Sequence, residues 1–367
     1  MDGMRVSNRR WRQRSCRLSG MASQLGGYSG VLRRELAARN REWARGRAHV
    51  QSYGDDPRVV YYPLEDKHGN FYGPTYQAIL ARPKWAGRLK KVHTGSRALP
   101  RWVDDPKRKW CELDSCMSSD ALLMNVFCTP GVVESAAVRR MLGVEAEVPP
   151  DFGWKAKVPL ASGLFDRTEV DMRWGDLLAE AKLTEPAFQT RKAEVVEAYR
   201  DFEVVFDREL LPCAGAITTR RRTAEEFSEA YTQEWEDTAG LSLEEISEAA
   251  REFRAGLVTE AEKTSPRAAR YRGYQLIRNV LAAYATGSRF CVICDERRPD
   301  LLEAWSAVMR AVQSAEIRTR LTVLTWQELA AFVPEELREF LAAKYGIGAP
   351  GHLPADNREV HRKHEER

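Results

Sequence analysis

The sequence has no apolar run long enough to cross a bilayer, which takes about 20 consecutive apolar residues, so nothing in it predicts a membrane-spanning protein. The first 24 residues carry six arginines and no hydrophobic stretch, so a secretory signal is not expected there. We predict that residues 1–27 form a disordered basic segment, with Met21 as an alternative start. Residues 347–367 are predicted to be a disordered tail.

Histidine and cysteine are too few and too scattered to predict a zinc site or a disulfide framework. The six histidines show no metal-binding spacing, and the seven cysteines are an odd number, which favours a reduced cytoplasmic location. Cys291 and Cys294 form a CxxC inside an apolar run that is typical of a buried strand. No second CxxC and no neighbouring histidine completes a zinc set, so core packing is favoured over metal binding.

Hydrophobic residues make up 43% and charged residues 30% of the chain, the balance of a globular protein. The periodicity predicts helices at residues 31–48, 118–127, 267–285, 299–312 and 326–345, and strands at 167–174, 177–184, 289–295 and 320–325. Residues 61–110 look irregular, and residues 147–160, with three prolines, are predicted to be a loop. Helices around a mixed sheet indicate an α/β or α+β fold.

Charge is distributed unevenly along the chain. Residues 224–263 hold twelve acids and three bases at helical spacing, which predicts a solvated acidic helical insertion. Between residues 82 and 110, ten Lys or Arg face two Asp, with three Trp interleaved. This pattern favours nucleic-acid contact over a solvated basic loop, because cations bind phosphates and aromatic rings stack on bases. The predicted nucleic-acid-binding residues are Lys84, Arg88, Lys90, Lys91, Arg97, Arg101, Lys107, Arg108 and Lys109.

Two acids and a lysine lie on a predicted hairpin that turns at residues 175–176. Asp171 is on the first strand, while Glu180 and Lys182 lie two apart on the second and therefore share a face. Phosphodiester hydrolysis needs a hard cation such as Mg²⁺, which prefers oxygen ligands. A nearby lysine can stabilise the transition state and position the attacking water. The hairpin thus supplies the groups that this chemistry requires.

The bare pattern also fits a surface hairpin with cross-strand ion pairs. Residues 65–67 and 105–107 match acid-x-Lys too, but no strand-turn-strand pattern flanks them. The return strand is largely apolar, as in a central strand, where Glu180 and Lys182 need a reason to be present.

The hairpin around Asp171, Glu180 and Lys182 resembles the signature hairpin of PD-(D/E)xK nucleases. The predicted helix that contains Gln275 is similar to the one that follows in many members, and the later strands resemble the remaining core strands. The similarity covers residues 110–346, with residues 28–109 as an N-terminal extension, and the chain as a whole resembles bacterial restriction-endonuclease-like proteins. Val170 stands where the motif has proline, and the acidic insertion is not part of the usual core.

The resemblance implies a restriction-endonuclease-like core with Asp171 and Glu180 as metal ligands and Lys182 as the water-positioning base. Glu169 and Glu112 are further candidate ligands, and Gln275 is a candidate catalytic residue. Asn279 lies one helical turn from Gln275 on the same face, so both could contact the metal-bound water or the backbone. Glu169, Glu112 and Gln275 are also each compatible with a solvated polar residue that has no role in metal binding or catalysis. The implied cofactor is Mg²⁺, with Mn²⁺ as a substitute.

These observations lead to one main hypothesis and two rivals. The main hypothesis is a Mg²⁺-dependent DNA endonuclease of restriction or other defence, and a homodimer is an added expectation because two strands need two centres. The first rival is a catalytically inactive nucleic-acid-binding protein with the same fold. The second is a partner-binding protein that docks through its acidic insertion.

Overall fold

The computed structural model describes residues 27–51, 58–92, 111–145, 148–214 and 269–348. The predicted acidic insertion at 224–263 lies outside these residues, as do most of the two predicted terminal segments. The helices are α1 Gly27–Trp43, α2 Gly73–Leu80, α3 Pro83–Arg88, α4 Ser119–Phe127, α5 Ala136–Leu142, α6 Ala193–Glu197, α7 Phe202–Val205, α8 Tyr274–Ala285, α9 Pro299–Met309, α10 Ala315–Arg318, α11 Trp326–Ala330 and α12 Glu335–Tyr345. None of these described helices combines the length and apolar character needed to cross a membrane.

The strands, also in chain order, are β1 His49–Gln51, β2 Val59–Tyr61, β3 Pro63–Leu64, β4 Lys67–His68, β5 Asp151–Lys155, β6 Val158–Pro159, β7 Phe165–Asp166, β8 Glu169–Trp174, β9 Leu177–Ala181, β10 Thr190–Lys192, β11 Cys213–Ala214, β12 Arg270–Arg272, β13 Arg289–Cys294 and β14 Leu321–Thr325. A 3-10 turn spans Glu112–Asp114.

Five strands form a mixed central sheet in the order β14-β13-β9-β8-β5. β13 pairs in parallel with β14 and β9, whereas β8 is antiparallel to both β9 and β5. β9 is buried along its whole length and β13 along nearly all of it, which explains their near-continuous apolar sequences. The predicted α/β or α+β architecture, with later strands linked through helices, is confirmed, but the hairpin is not the first part of the sheet, because β5 precedes it and pairs with β8.

Helices cover both faces of this sheet and create two core layers. In the first layer, α1, α4, α5 and α12 pack on the face that presents Met172 and Cys291. In the second, α6, α7, α8 and α9 pack on the face that presents Val292 and Cys294. The two cysteines of the CxxC therefore point into different layers, because side chains alternate along a strand. Their assignment to core packing is confirmed.

The prediction of a loop at 147–160 is wrong, because this segment contains β5. β5 is an edge strand of the sheet and follows Pro149 and Pro150. Gly153 within it has a φ of +65°. Proline and glycine are tolerated at sheet edges, where one row of backbone groups needs no partner.

The prediction that residues 61–110 are irregular also missed α2 and α3. Both are short helices with a proline in their first turn.

Several helix boundaries also differ from the predictions, and the first helix, predicted at 31–48, spans Gly27–Trp43. The helix predicted from residue 267 starts at Tyr274, because residues 270–272 form β12 between β10 and β11. The helix predicted over 326–345 is divided into α11 and α12, and Pro334 is the residue that caps α12. Proline has no backbone N–H to donate within a continuous helix, so the division occurs there.

Lys344 is a buried lysine in the first core layer, at the end of α12. Its Nζ lies 3.9 Å from the ring centre of Tyr345 and 5.5 Å from that of Tyr61. Within the part of the chain that the structure describes, this Nζ has no hydrogen-bond partner. Burial lowers the pKa of Lys344 to about 7, since an ammonium ion is costly in an apolar pocket.

Candidate active site

The hairpin of β8 and β9 places Asp171 beside Glu180. Trp174 pairs with Leu177, so the connection has two residues, and Gly175 supplies the positive φ of +60° that such turns require. One Asp171 carboxylate oxygen, Oδ2, accepts a hydrogen bond of 2.8 Å from the backbone nitrogen of Ala181. This bond fixes the Asp171 carboxylate at the end of β9, next to the side chains of the return strand.

Glu180 and Lys182 form a buried ion pair on the same strand face. Lys182 Nζ donates to Glu180 Oε1 at 2.6 Å, and the two side chains are only 5% and 3% exposed. Lys182 continues the pairing of β9 with β13, because its backbone nitrogen donates to the Ile293 carbonyl at 2.8 Å. The structure therefore brings together the three residues Asp171, Glu180 and Lys182 that the sequence motif singles out.

The second oxygen of Glu180 is held by helix α8. Asn279 Nδ2 donates to Glu180 Oε2 at 2.8 Å, and Arg278 donates to Asn279 Oδ1 at 2.7 Å. Arg278 is itself fixed by Asp166, whose Oδ2 lies 2.9 Å from Nε. A chain of hydrogen bonds thus runs from β7 through α8 to Glu180. Such outer contacts orient a carboxylate and limit its movement.

Charge crowding shifts the pKa values of this group. Burial, then the nearby charges of Glu180 and Asp120, raise the pKa of Asp171 well above its usual range, although Lys182 opposes the shift. Burial disfavours the charged form of Lys182, but Glu180, Glu185 and Asp171 outweigh it and raise the pKa of this lysine. Lys182 is therefore a stable ammonium ion, and it alone does not neutralise the carboxylates around it.

Helix α4 brings further polar groups to the end of β9. Ser118 caps the helix by accepting a hydrogen bond from the backbone nitrogen of Ala121. Ser119 Oγ donates to Glu185 Oε1 at 2.5 Å, which fastens the start of α4 to the segment after β9. Asp120 is buried and lies near enough to Asp171 to raise its pKa.

Asp120 is a residue that the sequence prediction missed. An acid in the first turn of a helix is common, because it complements the helix dipole, so its sequence signal is weak. The one weak signal was that Asp120 directly follows Ser118 and Ser119 at the start of the helix. Arg278, Asp166 and Tyr199, which form the buried network behind Asn279, were missed as well.

Two of the predicted nucleic-acid-binding residues contact carboxylates of this site. Arg88 lies 2.8 Å from Asp120 Oδ2 and 3.0 Å from Glu169 Oε2. Lys91 lies 2.8 Å from Glu112 Oε2 and 3.4 Å from both Asp120 and Glu169. Glu112 and Glu169, which the sequence proposed as further metal ligands, thus have these cations as immediate partners.

The remaining predicted site residues are more dispersed. Lys84, with an 85% exposed side chain, lies 3.5 Å from Asp151, and Lys90 is exposed. Gln275 is half-buried one turn before Asn279 on α8, but the described hydrogen bond to Glu180 comes from Asn279. Five more predicted nucleic-acid-binding residues lie outside the described residues: Arg97, Arg101, Lys107, Arg108 and Lys109.

The donor chemistry at Asp171 and Glu180 fits a hard divalent cation. Both offer carboxylate oxygens, the ligands that Mg²⁺ prefers, and a cation there would relieve the repulsion that raises the pKa of Asp171. As the described side chains stand, no three His, Cys, Asp or Glu form a group that could hold a metal ion. One or two protein carboxylates suffice for Mg²⁺, which keeps several waters and takes phosphate oxygens as its other ligands.

Comparisons with known proteins agree with this architecture. No curated protein and no solved structure matched the chain. A family model described as "Restriction Endonuclease associating with ARP" matches residues 37–346, which include the hairpin, α8 and the whole central sheet. Because this match covers most of the chain, the chain belongs to the family of restriction endonucleases associating with ARP.

Proposed function

We propose that this protein is a metal-dependent DNA endonuclease of the PD-(D/E)xK type that hydrolyses phosphodiester bonds in restriction or another defence against foreign DNA. The observation that carries the proposal is the position of Asp171, which accepts a hydrogen bond from the Ala181 backbone between the paired side chains of Glu180 and Lys182, in a chain of a restriction-endonuclease family. Such a set of two acids and a lysine is what hydrolysis of a phosphodiester requires.

In this proposal Asp171 and Glu180 hold Mg²⁺, or Mn²⁺ in its place. When bound, the ion neutralises charge on the scissile phosphate and promotes formation of the hydroxide nucleophile. Asp171 is the more accessible of the two carboxylates, since it is half-buried while Glu180 is buried. Asn279 holds Glu180 Oε2 in place, which fixes the direction in which this carboxylate can bind.

Lys182 acts in this scheme as a hydrogen-bond donor. Its neighbours raise its pKa, so the ammonium form persists and has no lone pair with which to accept a proton. The ammonium group can orient the attacking water and stabilise negative charge on the phosphate in the transition state. In this scheme Lys182 is therefore not the base. Another group removes the proton from the attacking water.

The decisive experiment is a cleavage assay with purified protein on supercoiled plasmid and on linear single-stranded DNA, with and without Mg²⁺. We expect cleavage only with Mg²⁺, and its loss in Asp171→Asn. Asp176→Asn is the matched control, because Asp176 lies in the turn of the same hairpin and pairs with Arg289 on the surface. DNA cleavage by Asp171→Asn at the wild-type rate would contradict the proposed site.

One observation favours the rival, a DNA-binding protein without catalysis. Both oxygens of Glu180 already have a donor, Lys182 on one and Asn279 on the other. In the same assay, this rival predicts a gel shift of DNA and no cleavage with either Mg²⁺ or Mn²⁺. Analytical ultracentrifugation with and without duplex DNA tests the expected homodimer.

A further inference from the structure

Lys91 lies at a point where three carboxylates from three different elements converge. Its Nζ is 2.8 Å from Glu112 Oε2 in the 3-10 turn, 3.4 Å from Asp120 Oδ2 in α4 and 3.4 Å from Glu169 Oε2 in β8. The Lys91 and Glu112 side chains and that of Glu169 are each about one-third exposed, whereas Asp120 is 8% exposed. One ammonium ion thus occupies the centre of an oxygen cage.

Arg88, the last residue of α3, is the second cation that contacts the cage. Its guanidinium contacts the same two oxygen atoms as Lys91, Asp120 Oδ2 and Glu169 Oε2. Gly153 in β5 makes room for it, because a Cβ there would lie 2.0 Å from Arg88 Nη1. The guanidinium is therefore accommodated by the backbone of the sheet, and its side chain is only 12% exposed.

This cage adjoins the Asp171–Glu180 carboxylates. Glu169 of the cage lies two residues before Asp171 on β8, and α4, whose first turn carries Asp120, packs against β9, which carries Glu180. Nucleases with two metal ions hold them about 3.5–4 Å apart, bridged by shared carboxylates. Here Asp120 Oδ2 and Glu169 Oε2 are each contacted by two protein cations, at nitrogen–oxygen distances of 2.8 to 3.4 Å. Mg²⁺ would need oxygens at about 2.0–2.1 Å, which these side chains do not provide as placed.

We propose that Arg88 and Lys91 are resident cations in the position of a second metal ion, so that the site takes one divalent ion, at Asp171 and Glu180, instead of two. This inference rests on the proposed function for the ion at Asp171 and Glu180. Arg88 and Lys91 are positioning residues in this arrangement: their positive charges hold Glu112, Asp120 and Glu169 close together against the mutual repulsion of these carboxylates. They are correspondingly less available to bind DNA phosphates.

Counting bound Mn²⁺ by electron paramagnetic resonance and calorimetric titration tests the inference. We expect one ion for the wild type and two for Lys91→Met, with the second ion lost again when Asp120→Asn is added. Lys157→Met is the matched control, because Lys157 is exposed and lies outside the cage, and it should keep one ion. Two ions in the wild type, or no additional ion in folded Lys91→Met, would overturn the inference.

Folding of the variant is checked by thermal melts with and without Mn²⁺. Loss of Lys91 leaves three carboxylates facing one another, so the metal-free variant should melt below the wild type and gain more from Mn²⁺ than the wild type does. Lys91→Gln, which keeps a hydrogen-bond donor and removes only the charge, is the second variant for both measurements. Equal Mn²⁺-induced shifts in the wild type and both variants would count against the cage as a cation position.

The same titration separates this inference from the proposed function. Asp171→Asn in the wild-type background should remove the one bound ion. If the wild type binds none while Lys91→Met binds one that depends on Asp120, the proposed ion at Asp171 and Glu180 is wrong, and of the inference only the role of Lys91 as a cation in a metal position stands. If Asp171→Asn removes the ion but Lys91→Met adds none, the proposed function stands and the inference falls.

Discussion

Two lysines of this protein are buried to a similar degree, yet their surroundings have opposite effects. Lys182, at the end of β9, is enclosed by carboxylates, and its pKa is raised despite burial. Lys344, in the first core layer, faces the rings of Tyr61 and Tyr345, and burial lowers its pKa to about 7. The charge of a buried lysine thus depends on its neighbours far more than on its depth.

This difference separates the proposed active site from a structural region of the protein. Around Lys182 the charge is held by a set of acids whose own repulsion favours a further cation. Around Lys344 there is an apolar pocket in which the neutral amine is the favoured form above pH 7. Burial alone is therefore a poor guide to function, and the predictions below test whether charge environment is a better one.

The largest expected effect is on cleavage by Lys182→Ala. We expect a loss of about 10² to 10³ in rate, since few groups contact the reacting phosphate and each matters. Lys344→Met should cleave like the wild type. DNA affinity should fall only modestly in Lys182→Ala, because binding draws on many positive charges. Single-turnover cleavage and gel shifts measure the two quantities.

Adding excess metal ion distinguishes the proposed role of Asp171 from that of Lys182. Excess Mn²⁺ should partly restore Asp171→Ala, in which metal affinity is lost, but not Lys182→Ala, in which the missing group is not a ligand. Circular dichroism and thermal melts establish that each variant is folded. Wild-type cleavage by folded Lys182→Ala would show that the site assignment is wrong.

The second prediction concerns the pH dependence of stability. The pKa of Lys344 is about 7 in the folded protein, against 10.5 for an ordinary solvated lysine such as that of the unfolded chain. Between these pH values the unfolded chain binds more protons than the folded one, so the free energy of unfolding rises with pH, by up to about 1.4 kcal/mol per unit. Below pH 7 both states are protonated, and the cost of the buried charge is fully present.

Lys344→Met should remove this dependence, because methionine fills a similar space without a charge. We expect the variant to be more stable than the wild type at pH 6 and the difference to shrink as the pH rises to 9. Urea unfolding at both pH values measures it. A difference that is constant with pH would mean that the amine of Lys344 is not neutralised on folding.

A third prediction distinguishes two residues of α8. Asn279→Ala should lower activity about 10- to 100-fold, because Glu180 Oε2 loses the donor that orients it. The sequence pointed to both residues and favoured Gln275, one turn earlier, but we expect a smaller loss in Gln275→Ala. Both variants are assayed across a Mn²⁺ titration, which reports metal affinity and maximal rate separately. A larger loss in Gln275→Ala would favour Gln275 as the residue of α8 that serves the site.

The smallest expected effect is on the salt dependence of DNA binding. Replacing Lys84 and Lys90 by alanine should flatten the slope of log affinity against log salt, by about 0.9 for each phosphate that the protein no longer neutralises. Arg88 and Lys91 should contribute less, because carboxylates already pair with them. Replacement of Lys67 and Lys157, two exposed lysines elsewhere, is the charge-matched control. Equal slopes in all these variants would place residues 84–90 away from DNA.

The hairpin was predictable because its contacts are local. Asp171 contacts the backbone of a residue 10 positions away, and the Lys182–Glu180 pair spans two positions. The alternation of side chains and a glycine turn are sufficient to place them together. The paired cations of the neighbouring cage were not predictable in the same way. Arg88 reaches Asp120 and Glu169 across 32 and 81 positions, and no periodicity reports such distances.

The edge strand β5 is another element that local sequence patterns did not predict. Two prolines and a glycine in its neighbourhood indicate a loop when considered locally, yet β8 offers a free edge that tolerates them. Only the presence of that partner decides between loop and strand.

The sequence by itself determined four of the five strands of the core sheet, the burial of Cys291 and Cys294, and the hairpin that carries two acids and a lysine. These follow from periodicity and turn chemistry, which act over a few residues. The tertiary structure alone decided that Asp120 joins the site, that Asn279 holds Glu180, and that Arg88 and Lys91 lie against carboxylates. Those contacts depend on how separate elements pack, because electrostatic attraction acts through space and is indifferent to position along the chain.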